Sequence, residues 1–105
     1  MRLEKYFADR GDSMTWDIVL KEYNKNGILV TLIPCKSAKI KTKWRAIDEF
    51  LNACPDGNVR EIFFKRNGKI FPSLVTDGKK RMFAEPIASK LPLLEYARKL
   101  EFIAA

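Results

Sequence analysis

Apolar residues fall in short blocks along this chain, and each block has its own spacing. In DSMTWDIVLKEYNKNG, Trp16, Val19, Leu20 and Tyr23 recur at i, i+3, i+4 and i+7, which predicts a helix near 15–26. Ser13 or Thr15 suits its N-cap, Asp17 its positive end, Lys21 and Lys25 its negative end, and Asn26-Gly27 its stop. Trp16, Ile18 and Leu20 also alternate, so a hairpin turning at Asn26-Gly27 is the competing reading. Residues 28–33 are β-branched or leucine and uncharged, a buried strand closed by Pro34.

From Lys43 the period lengthens again. Trp44, Ile47, Leu51 and Cys54 share a helical face, which predicts a helix near 43–54 that Pro55-Asp56-Gly57 ends. NVREIFFKR (58–66) and KIFPSLV (69–75) flank Asn67-Gly68, a pair that tolerates the positive φ of a hairpin turn. Pro72 cannot donate to a ladder, so its strand belongs at an edge or a bulge. After Thr76-Asp77-Gly78-Lys79 a third strand near 80–84 completes a meander. Leu3, Tyr6 and Phe7 suit a short helix over 2–10, and Leu93, Ala97 and Leu100 a longer one near 92–103.

These elements predict a single α+β domain spanning 1–105. Its antiparallel sheet has strands near 28–33, 58–66, 69–75 and 80–84, packed against helices near 15–26, 43–54 and 92–103. A chain of 105 residues is long enough for one core without disulfide or metal staples. Along Glu61 to Lys65 successive side chains alternate, so only one of Phe63 and Phe64 faces that core.

Charge changes the picture. The net charge is +7, and all of the excess lies between 35 and 81, where twelve bases face five acids. Within CKSAKIKTKWR, Lys36, Lys39, Lys41, Lys43 and Arg45 have no acid among them. Lys65, Arg66 and Lys69 surround the first meander turn, and Lys79, Lys80 and Arg81 the second. Clustered bases hold a polyanion through its phosphates, releasing counterions and reading little sequence. Trp44 and Phe64 stand beside bases and are candidates for stacking on nucleobases.

Catalytic chemistry finds little here. With no histidine, histidine-activated nucleophiles and histidine bases are excluded, and two cysteines nineteen residues apart do not make a four-ligand zinc site. Both thiols are expected to be reduced and structural. A magnesium nuclease is the remote alternative, with Asp56, Glu61 and Lys65 in the right order. Such a core places its acid and lysine two apart, whereas Glu61 and Lys65 are four apart. No glycine-rich phosphate loop occurs.

The run YNKNGILVTLIPCKSAKIKTKW, with Gly27, Pro34, Lys36, Lys39 and Trp44, resembles the opening of the primase-polymerase domains of plasmids and phages. The likeness spans about a fifth of the chain. The aspartate pair, one residue apart, that holds metal in those domains has no counterpart here, so polymerase activity does not carry over. The expected function is therefore that of a small non-enzymatic DNA- or RNA-binding protein, with no cofactor and no metal. The alternative is a phage or mobile-element accessory factor docking on an acidic protein surface. The longest apolar run is too short to span a bilayer, and the N-terminal dozen mixes acids with bases, so a cytoplasmic or virion-internal location is expected.

Overall fold

The computed structural model describes residues 15–87, and in it the segment expected as the first helix is an interior strand. This strand, β1 (Thr15–Tyr23), pairs antiparallel with β2 (Leu29–Lys39) on one side and β3 (Val59–Arg66) on the other. Trp16, Ile18 and Leu20 are buried against one face, and Val19 and Tyr23 point to the other. A strand apolar on both faces puts hydrophobic residues at 16, 19, 20 and 23 just as a helix would, and its two-sided burial decides between the readings. The turn is built by Asn24. Its Oδ1 accepts from the N–H of Asn26 at 2.9 Å and of Ile28 at 3.1 Å, while Gly27 takes a φ of 80°.

The meander forms as expected. β3 and β4 (Lys69–Thr76) meet at Asn67-Gly68, both at positive φ, and β5 (Arg81–Ala84) follows. The five strands of the described residues make one antiparallel sheet in the order β2, β1, β3, β4, β5. Pro72 lies where the β3–β4 register shifts between Ile62 and Phe64, so its missing N–H falls in a bulge.

Helix α1 (Ile40–Asn52) leads from β2 to β3 across one face of the sheet. It starts three residues before the expected Lys43, because Ile40 belongs to the same stripe as Trp44, Ile47 and Leu51. That stripe packs on Trp16, Ile18, Leu20, Ile62, Phe64 and Leu74. Each such large side chain contributes on the order of 1.5–3 kcal/mol by leaving water. On the opposite face a smaller cluster gathers Tyr23, Val59, Val75 and Ile87.

β2 departs from expectation twice. It is an edge strand and not a buried one, with Leu29, Val30, Leu32 and Ile33 between 40% and 54% exposed and Ile28, just before it, 59% exposed. It also continues through Pro34, which an edge tolerates, into the basic segment as far as Lys39. The expected helices over 2–10 and 92–103 lie outside the described residues.

Polar contacts fasten α1 to the sheet. Arg60 donates from Nε to Glu22 Oε1 at 2.7 Å and from Nη1 to the Phe50 carbonyl at 2.7 Å, and its guanidinium lies 4.2 Å from the Phe50 ring centre. Asn58 donates to the other Glu22 oxygen at 2.6 Å. The carbonyl that Arg60 meets is among the last four of the helix, which have no partner within it.

Candidate nucleic-acid interface

Register decides which bases come together. β1 begins where β2 ends, with Thr15 opposite Lys39, and where β3 ends, with Asp17 opposite Lys65. Arg66 and Lys69 close the β3–β4 hairpin at this same end. Lys39 leads directly into α1, whose first turn carries Lys41 and Lys43. Lys36, Lys39, Lys41, Lys43, Lys65, Arg66 and Lys69 therefore share one end of the sheet.

Local geometry shapes this end. Between the Trp16–Ala38 and Ile18–Cys35 pairs β2 has an extra residue, and there Ser37 takes a φ of 51° and donates its N–H to Asp17 Oδ1 at 3.0 Å. Asp17 is the one carboxylate among the described residues at this end of the ladder. No ion pair among the described residues involves any of the seven bases. Arg66 lies 5.7 Å from the Trp16 ring centre and Lys69 5.4 Å from that of Phe71, so both run their stems over aromatic surface.

Helix α1 adds positive potential of its own. Its N-cap, Lys39, makes no side-chain cap bond, and its first turn holds no acid. Thr42 turns its hydroxyl back to the Lys39 carbonyl at 2.8 Å and leaves the first-turn amides alone. The first-turn amides and the positive end of the macrodipole favour an anion there. Reasoning from the sequence missed this feature by starting the helix at Lys43. The spacing of Ile40 to Trp44, Ile47 and Leu51 is the signal that locates it.

Other expected residues lie elsewhere. The Asp77-Gly78 turn, with Lys79, Lys80 and Arg81, is at the opposite end of β4, beside the C-terminal end of α1, where a Cβ on Gly78 would come within 3.2 Å of the Cys54 carbonyl. Arg81 is held by α1: Nη1 donates to Asp48 Oδ1 at 2.6 Å and Nη2 to Asn52 Oδ1 at 2.8 Å. Arg45 is exposed one turn into α1, 3.4 Å from Glu49. Phe64 is fully buried under α1 and offers no ring for stacking, because alternation turned it inward and left Phe63 half-buried on the other face. Trp44 is half-buried against the same core with its Nε1 shielded from solvent.

The remote nuclease set is dispersed. Glu61 is fully buried on the face away from α1, accepting from the Ile87 N–H at 2.9 Å with Lys21 Nζ 3.8 Å away, whereas Asp56 and Lys65 are exposed at opposite ends of the sheet. Among the described residues no three cysteine or acidic side chains form a group suited to a metal. Both cysteines are free thiols, and burial raises the pKa of Cys54. No helix of the described residues is long and apolar enough to cross a membrane. Neither family models, nor curated proteins, nor solved structures provide a match to this chain.

Proposed function

We propose that this chain binds nucleic acid without acting on it chemically, through the basic end of the sheet. The observation that carries the reading is the convergence of Lys36, Lys39, Lys41 and Lys43 with Lys65, Arg66 and Lys69 around an uncapped helix start. Seven bases beside one carboxylate repel one another, and the lysines of the first turn also oppose the helix dipole. A phosphate backbone relieves both costs. The contact is electrostatic and reads little sequence, since the bases and the helix start meet phosphates.

Fluorescence anisotropy with single-stranded DNA, duplex DNA and RNA across a salt series tests this. Binding at low salt is expected, with the logarithm of the association constant falling by about 0.9 per phosphate contacted for each tenfold rise in salt on duplex. Failure to bind at low salt, or an affinity indifferent to salt, overturns the reading.

A further inference from the structure

The sheet has two edges, and they are unlike: β5 is four residues long and β2 eleven. From 28 to 33 the β2 edge carries neither charge nor proline, the features that ordinarily keep an edge from pairing. Its exposed apolar side chains Leu29, Val30, Leu32 and Ile33 lie on both faces of the strand, and exposed Ile28 immediately precedes it.

We propose that β2 pairs antiparallel with β2 of a second copy of this chain, closing a two-fold dimer whose sheet runs continuously through both copies. The charge pattern selects this occupant and this direction. With the two-fold axis at Thr31, the uncharged residues 28–34 face one another, and Lys36 falls beside the partner's Asn26. Parallel pairing in register would instead set Lys36 and Lys39 beside their own copies at about 4.8 Å strand spacing, where like charges repel. A polyanion finds no cation along 28–33, so this edge and the basic end are separate surfaces. The bulge at Ser37 bends the strand and terminates the pairing before the lysines of α1.

Sedimentation equilibrium of the full chain from about 1 to 300 µM, the range of a weak to moderate dimer, tests the proposal. Wild type is expected to show a reversible monomer–dimer equilibrium, and Leu32→Lys to weaken it at least about tenfold. Ile70→Lys, at an equally exposed apolar position on β4, is expected to leave it unchanged. Hydrogen exchange of wild type supplies a readout that needs no variant: amides of 29–33 slow as concentration rises. A monomer throughout the range, open-ended association, equal weakening by Ile70→Lys, or edge protection independent of concentration overturns the proposal.

Discussion

Arg81 donates to Asp48 across 2.6 Å, tying the last strand of the meander to the middle of α1. The contact makes Arg81 a brace between the meander and α1. Both side chains are partly exposed, so solvent screens the pair. Arg81→Ala is expected to cost about 1 kcal/mol, or some 4–8 °C in Tm, read by thermal denaturation. Nucleic-acid affinity should stay within about twofold, the change expected when no phosphate contact is lost. A large affinity loss in a folded variant would restore Arg81 to the interface.

Lys41 and Lys43 face the wrong way for the stability of α1. Replacing both with glutamate puts acids at the positive end of the helix, a gain of about 0.3–1 kcal/mol each. The same change removes two cations from the proposed interface. Opposite signs are therefore expected: greater resistance to urea and at least about tenfold weaker nucleic-acid binding. Loss of both stability and binding would show that the lysines serve the fold.

Position, and not charge alone, should govern binding. Lys65→Glu with Lys69→Glu alters the basic end, and Lys79→Glu alters the far turn. Anisotropy titrations should show a large loss and a shallower salt dependence for the first, by about 0.9 per phosphate contact removed on duplex, and little change for the second. Equal losses would mean that net charge suffices.

Glu22 and Arg60 form a largely enclosed ion pair, 2.7 Å apart, with side chains 9% and 16% exposed. Glu22→Ala leaves the guanidinium buried with the Phe50 carbonyl and ring but no counter-charge. A loss of about 3 kcal/mol is expected by urea unfolding, since breaking one side of a buried pair strands the other. A cost below about 1 kcal/mol would class the pair with surface ones.

Alkaline pH should weaken the fold through Tyr23. Burial first, then the charge of Glu61 and a hydrogen bond to it, raise the pKa of this phenol well above its ordinary value. Above about pH 10 the unfolded chain releases this proton while the folded chain keeps it, so unfolding is favoured as pH rises. Wild type should lose up to about 1.4 kcal/mol per pH unit more than Tyr23→Phe in this window, measured by urea unfolding. Parallel slopes for the two proteins would refute the assignment.

Much of the architecture is legible in local signals. Asn67-Gly68, Pro72 and the alternation through Phe63 and Phe64 locate the meander and its bulge, because each acts within a few bonds. β1 is legible only in part: the alternation of Trp16, Ile18 and Leu20 supports the hairpin that forms, while the helical spacing of Trp16, Val19, Leu20 and Tyr23 favours a helix. Its residues are buried on two faces by partners distant in sequence, and the resulting pattern imitates a helix.

The sequence by itself determined where the positive charge lies along the chain, which turns form and which residue types exclude histidine chemistry, since composition and short-range sterics suffice for these. Only the tertiary structure decided that the bases of 36–43 join those of the first meander turn and not those of the second. It alone left residues 28–33 on an open edge. Both outcomes follow from strand order and register, which arise from packing between segments tens of residues apart and leave no local mark.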